Sequence, residues 1–293
     1  MDIQIQWFPG HMAKAKRQVQ EALKLVDVAI ELLDARIPIS SGNPMIDKIL
    51  GNKPRLIVLN KSDLADTTTT KLWQKQLNKS NVKAVAVDTL KGEGLKEIPK
   101  AAAELTAELM AKLAAKGRRP RAIRCMVLGI PNVGKSSFIN RLVGRKATKT
   151  GDLPGVTKGQ QWIKIGGSLE LLDTPGILWP KFEDPEVGFR LAVTGAIKEQ
   201  VFDIYEVSSK LLKWLVENNP DIIKNRYKLD TIDFEIPLMI KEIGAKRGML
   251  VSGGVVDELK VAHLILKEFR EGTLGRYTLD LPKELSNILN SCT

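Results

Sequence analysis

The stretch IRCMVLGIPNVGKSS (residues 123–137) decides the fold. Residues 123–129 form an apolar run of strand length, and a helical spacing resumes over 135–143. Between them GIPNVGKS (129–136) matches G-x-x-x-x-G-K-S. A glycine loop between strand and helix turns backbone N–H groups inward around phosphate oxygens. Lys135 supplies a cation to the outer phosphates, and Ser136 offers a hydroxyl to Mg²⁺. The helix N-terminus adds its partial positive charge. Val133, Gly134 and Ser137 are the further expected phosphate contacts.

Outward from this loop, apolar runs over 26–35, 55–63 and 82–88 read as buried strands. Helical stretches are expected over 11–25, 66–79 and 95–116, the last ended by Gly117 and Pro120. Residues 160–173 read as a hairpin across Gly166–Gly167. Strands alternating with helices predict an α/β fold with a doubly wound, mostly parallel sheet. From about residue 181 the pattern is helical. Two domains are therefore expected, a nucleotide-binding domain over 1–180 and a smaller all-helical domain over 181–293.

Two further motifs end predicted strands. In DTPG (173–176), Asp173 can hold Mg²⁺ through water, and the Gly176 N–H can meet a γ-phosphate. NKSD (60–63) can read guanine. The Asp63 carboxylate accepts from the ring N–H and the exocyclic amine together, a donor pair that adenine lacks on that edge. A buried carboxylate facing the wrong base is left unpaired, which makes the readout selective. Asn60 can bond the base and tie down neighbouring loops, the Lys61 stem covers the ring, and Ser62 completes the motif. An ATP-driven enzyme is opposed by Asn60 and Asp63.

The 293 residues carry a net charge of +11, concentrated at +13 in residues 1–180 against −2 in 181–293. Lys14, Lys16 and Arg17 form one basic stretch, and Lys112, Lys116, Arg118, Arg119, Arg121 and Arg124 another. Such a field attracts polyanions, nucleic acid above all, or simply keeps the surface solvated. With 43% hydrophobic residues the chain can bury a core, which excludes disorder as its main state. No apolar run reaches the length of a membrane helix. Cys125 and Cys292 do not make a disulfide scaffold. With no secretory pattern at the start, a cytoplasmic protein with no membrane partner is expected.

The motif order is unusual, because the guanine motif precedes the phosphate loop. A site is a spatial constellation and survives rearranged strand order. The sequence resembles the circularly permuted GTPases and, more narrowly, the ribosome biogenesis GTPase A (YlqF) family. WFPGHMAKA (7–15), LDARIPISSGNP (33–44), NKSD, GIPNVGKS, PGVT (154–157), LLDTPGILWPK (171–181) and RLAVTGAIK (190–198) carry the resemblance in order. RGMLVSGGVVD (247–257) and FREGTLGRYTLD (269–280) extend it into the helical part.

The resemblance implies a GTPase, binding GTP and GDP with Mg²⁺, that acts in late assembly of the large ribosomal subunit. Its implied partners are that subunit and rRNA, with a monomer off the ribosome. Thr157 matches a switch threonine that completes Mg²⁺ coordination. Asp88 and Thr89 fall in a second base-contacting loop, without its usual Ser-Ala-Lys wording. Asn132 matches an asparagine associated with K⁺, or else bonds its own backbone.

Where many GTPases have a water-orienting glutamine after D-x-x-G, this chain has Ile177. His11 either orients the water or contacts RNA or caps the helix after Gly10. Trp7 and Phe8 stack on a base or pack on the sheet. Hydrolysis is expected to be slow alone and faster when a partner orders residues 150–158, 174–181 and the N-terminal segment. The alternative is a non-catalytic RNA-binding clamp that uses GTP only as a conformational switch. In the tail, residues 255–271 read as a helix with Val255, Leu259, Leu266 and Phe269 on an apolar face. Lys260, His263, Lys267 and Arg270 share another face, which tracks RNA or is solvated.

Overall fold

The computed structural model describes residues 17–144, 162–172, 184–232 and 235–282. They fall into two compact units, one drawn from residues 6–181 and 278–293, the other containing residues up to Tyr277 from Phe182 onward.

The first unit holds a six-stranded sheet. In chain order it comprises α1 (described over 17–23), β1 (Val28–Asp34), α2 (Pro44–Leu50), β2 (Arg55–Asn60), α3 (Thr67–Leu77) and β3 (Val82–Val87). Then come α4 (Glu97–Ala115), β4 (Ile123–Gly129), α5 (Lys135–Val143), β5 (Trp162–Ile165) and β6 (Leu169–Leu172). The strand order is β3-β2-β1-β4-β6-β5, parallel throughout except for the antiparallel edge strand β5. The expected doubly wound sheet is thus present. All seven residues of β1 are buried, as a central parallel strand covered on both faces requires. Two of its residues join apolar clusters with α1, α2 and α3: Ala29 with Val19, Leu23 and Ile46, and Leu33 with Ile57 and Trp73. Right-handed crossovers then put α4 and α5 on the other face.

Local chemistry sets the boundaries. Asn43 caps α2 by accepting from the Met45 N–H at 2.8 Å, with Pro44 at the first helical position. Asp66 caps α3 through the Thr69 N–H at 2.7 Å. Gly117 ends α4 at φ +70. Gly166 and Gly167, both at positive φ, turn the β5–β6 hairpin, as read from the sequence.

At the bottom of the sheet, Asp27 just before β1 accepts two bonds from the Arg121 guanidinium at 2.7 and 2.8 Å and one from the Arg124 N–H at 2.8 Å. Burial would raise the Asp27 carboxyl, but these donors hold it below its ordinary value. Arg124 lies over the Trp162 ring at 4.9 Å and beside Glu170, and Lys112 pairs with Glu108. Much of the basic 112–124 run is therefore structural, while Lys116, Arg118 and Arg119 are exposed.

The second unit, over its described residues, is helical: α6 (Pro185–Val193), α7 (Ile204–Asn218), α8 (Pro220–Tyr227), α9 (Ile236–Lys246) and α10 (Glu258–Arg270). Asp184, Asp203 and Asp257 cap α6, α7 and α10. The buried face of α10 is Val261, Ala262, Ile265, Leu266 and Phe269. Leu259 is exposed, and Val255 lies before the helix and is exposed too, which corrects half of the apolar face expected from sequence. The basic face is partly consumed internally. Arg270 donates to the Ala192 and Val193 carbonyls at the end of α6, at 2.8 and 3.1 Å, and pairs with Glu199, which also lies 3.5 Å from His263. Among the described residues no helix is long and apolar enough to cross a membrane.

Candidate functional site

The C-terminal ends of β2, β1 and β4 lie side by side, with Asp34 opposite Asn60 and Leu32 opposite Gly129. Open α/β sheets bind ligands at this edge. Sequence separation of about seventy residues is thereby closed to contact between NKSD and the phosphate loop.

The phosphate loop needs its glycines. Gly134 sits at φ +99, and a Cβ there would lie 2.5 Å from Asn60 Nδ2. A Cβ on Gly129 would lie 2.8 Å from the Leu32 carbonyl oxygen. Asn132 also has positive φ, at 57. Gly134 starts α5 without a side-chain cap, which places the helix N-terminus, with its partial positive charge, at the phosphate loop. Lys135 Nζ donates to the Gly129 and Ile130 carbonyls at 2.9 and 2.7 Å, holding the ammonium inside the loop. Ser136 occupies the first turn beside it, Ser137 is exposed, and Val133 is buried beneath.

Asn60 is the tie between motifs. Buried, it donates from Nδ2 to the Val133 carbonyl at 2.8 Å and accepts at Oδ1 from the Thr89 hydroxyl at 2.7 Å. These bonds are the loop ties expected of Asn60. Thr89 reaches Asn60. Asp88 Oδ1 accepts from the Leu90 and Lys91 N–H groups at 2.9 and 3.0 Å, shaping its own turn. The Ser62 N–H donates to the Val87 carbonyl at 3.2 Å, so the NKSD turn leans on the end of β3. Asp63 follows, half-buried.

Lys61, at φ +59, stretches its ammonium to the Asn132 carbonyl at 3.0 Å and to Asp34 Oδ2 at 3.1 Å. Asp34 in turn accepts a two-pronged grip from Arg36, Nε to Oδ1 at 2.9 Å and Nη2 to Oδ2 at 2.7 Å. Both residues are almost fully buried. Burial would raise the Asp34 carboxyl, but Arg36 and Lys61 outweigh it and hold the group well below the usual carboxylate range. The Asp34–Arg36 pair was not singled out from sequence beyond its place in LDARIPISSGNP. The available signal is an acid at the end of an apolar strand with an arginine two residues on, a spacing that allows a local fork.

His11, Thr157, Asp173, Gly176 and Ile177 lie outside the described residues, as do Trp7, Phe8, Lys14 and Lys16. Among the described residues no group of three or more His, Cys, Asp or Glu stands ready to hold a metal.

Comparison with known proteins agrees with this geometry. The family described as "50S ribosome-binding GTPase" matches residues 124–248, starting in the strand that feeds the phosphate loop. Ribosome biogenesis GTPase A of Priestia megaterium is 52% identical over 281 residues, covering 96% of this chain and 98% of the relative. The crystal structure of GNP-bound YlqF from T. maritima superposes with a TM-score of 0.62 at 28% identity, over 92% of this chain and 99% of that one. GDP-bound YlqF from the same organism gives 0.63 at 26% identity, over 91% and 100%. With its permuted α/β sheet tying the NKSD turn to the phosphate loop, and with this likeness over 96% of its length, the chain belongs to the ribosome biogenesis GTPase A family of GTPases.

Proposed function

We propose that this GTPase binds the large ribosomal subunit and its rRNA during late assembly, and that the particle stimulates its hydrolysis of GTP. The observation that carries the site reading is the pair of bonds from Asn60 to Val133 and from Lys61 to Asn132, which make base and phosphate recognition one rigid constellation. In that constellation Asp63 accepts from the guanine ring N–H and exocyclic amine, Lys61 covers the ring, and Lys135 and the α5 N-terminus hold the phosphates. Val133, Gly134, Ser136 and Ser137 supply the neighbouring loop contacts.

Mg²⁺ fits the donor set. Ser136 brings a neutral hydroxyl at the helix start, and Thr157 and Asp173 bring a hydroxyl and a carboxylate in sequence, all hard oxygen ligands. The ion would neutralise charge on the phosphates. Asn132 is the proposed K⁺-associated residue, at a loop position whose side chain is exposed. Ile177 has no hydrogen-bonding atom, so the attacking water must be oriented by another group, with His11 the candidate in this chain. RNA contact is assigned to the helical part from residue 181 onward and to the exposed Lys116, Arg118 and Arg119. The protein acts in the cytoplasm and is a monomer off the ribosome.

The partner assignment predicts that the protein sediments with purified large subunits when loaded with a non-hydrolysable GTP analogue and is released with GDP. Sedimentation with small subunits alone, or none with either, would contradict it. Sedimentation that depends on nucleotide but brings no acceleration of hydrolysis would favour the clamp, the reading that Ile177 supports.

A further inference from the structure

After the helical unit ends at Tyr277, the chain returns to the sheet unit. Thr278 and Asp280 are buried there, and Leu279 nearly so. The segment is held by five hydrogen bonds to α3 with its cap and to the turn after β1. The Thr278 hydroxyl accepts from the Asp66 N–H at 3.2 Å. The Leu279 N–H donates to the Arg36 carbonyl at 2.7 Å. The Asp280 carboxylate accepts from both the N–H and the hydroxyl of Ser40, at 2.7 and 2.8 Å. The Asp280 carbonyl accepts from Trp73 Nε1 at 2.8 Å. Ser40 and Trp73 are themselves almost fully buried.

These anchor points surround the base-reading motif. Asp66 is the cap of α3, three residues after Asp63. Trp73 lies in α3 and packs with Leu33, Ile57 and Leu59 under the same strand ends. Arg36 is the residue that fixes Asp34, which holds Lys61 against the phosphate loop. Ser40 belongs to the turn after β1, whose neighbour Ser41 accepts from the Asp34 N–H at 3.0 Å. A series of hydrogen bonds and ion pairs therefore joins Leu279, through Arg36, Asp34 and Lys61, to the Asn132 carbonyl.

We infer that Thr278–Asp280 is a positioning strap, which holds the 60–66 loop in its nucleotide-binding shape and so sets how long guanine nucleotide stays bound. It rests on the reading of Asn60–Asp63 as the base-reading motif. The strap touches the scaffold of the site on the β1 turn and on α3 beside the base-reading motif, so its effect is expected on GDP and GTP alike.

The test is the release rate of fluorescently labelled GDP from the full chain, followed with urea unfolding of the same variants. Asp280→Ala is expected to speed release roughly tenfold, the scale of one lost hydrogen-bonded carboxylate. Asp280→Asn is expected to restore slow release, because an amide can accept from the Ser40 N–H and donate to its hydroxyl. Asp27→Asn, which weakens the opposite end of the same sheet, is expected to lower the unfolding midpoint without changing release. Release from Asp280→Ala at the wild-type rate would overturn the strap. So would an equal acceleration in Asp27→Asn, which would make the effect one of global stability. If Asp280→Ala does not fold, Ser40→Ala decides: faster release supports the strap, and an unchanged rate overturns it. Nucleotide choice by Asp63→Asn is read separately, so an error in the base-reading assignment appears there and leaves the release comparison standing.

Discussion

Asp63→Asn is expected to weaken GDP and GTP binding by on the order of 10²–10³-fold and to bring xanthosine diphosphate above GDP in affinity. The carboxylate is read as accepting two bonds from guanine, each charge-assisted and worth about 1.5–3 kcal/mol. An asparagine turns one acceptor into a donor, which now faces the exocyclic amine. Xanthine carries an oxygen there, so the donor finds a partner and the pairing is restored. The rest of the site should be undisturbed, because Asn60, Lys61 and Thr89 are held by their own bonds. Competition binding with the four diphosphates, GDP, XDP, IDP and ADP, measures this. Retained preference for GDP would remove Asp63 from base recognition.

Arg36→Ala is expected to cost about 3–5 kcal/mol of unfolding free energy, the range for removing one partner of a buried ion pair. Asp34 would be left buried with the Lys61 ammonium beside it but without its two-pronged partner, and the arginine stem would leave a cavity. Replacing both, as Asp34→Asn with Arg36→Met, should cost less than the single change because no buried charge is stranded. The pH dependence has a defined sign. The folded Asp34 carboxyl lies below its unfolded value, so its stabilisation is complete above the unfolded carboxylate pKa of roughly 4. It is lost only as the pH falls through the lowered folded value. Without Arg36 that folded value rises, and the acid limb of the stability curve moves to higher pH. Urea unfolding of wild type and variant at neutral and mildly acidic pH reads both effects. Equal stability at neutral pH would contradict the account of this pair.

The sheet was legible because each strand is an apolar run ending in a glycine or polar motif, and a central parallel strand needs that continuous burial. GIPNVGKS and NKSD were legible because their chemistry is local and their residue types are few. The short helix α2 was not read. Its only local signals are Asn43 and Pro44, and seven residues give little periodicity. The apolar face of α10 was misplaced because Val255 and Leu259 fit the spacing but precede or face away from the packed surface. Arg270 reads in sequence as an RNA-facing or solvated charge, and only tertiary structure reveals the α6 carbonyls that it caps. Thr89 and Asp88 were expected at the base. They make bonds to Asn60 and to their own turn, which no spacing rule announces. The strap was beyond reach, since Asp280 meets Ser40 across 240 residues.

GTP turnover by the purified protein, in K⁺ buffer with and without large ribosomal subunits, is the measurement on which the functional account stands. The account predicts slow turnover alone and strong acceleration by the subunit, abolished by Lys135→Ala. Loss of the acceleration in His11→Ala, with subunit binding intact, would place His11 at the attacking water. Turnover unchanged by the subunit, despite nucleotide-dependent binding to it, would contradict the account and leave a clamp that uses GTP as a switch.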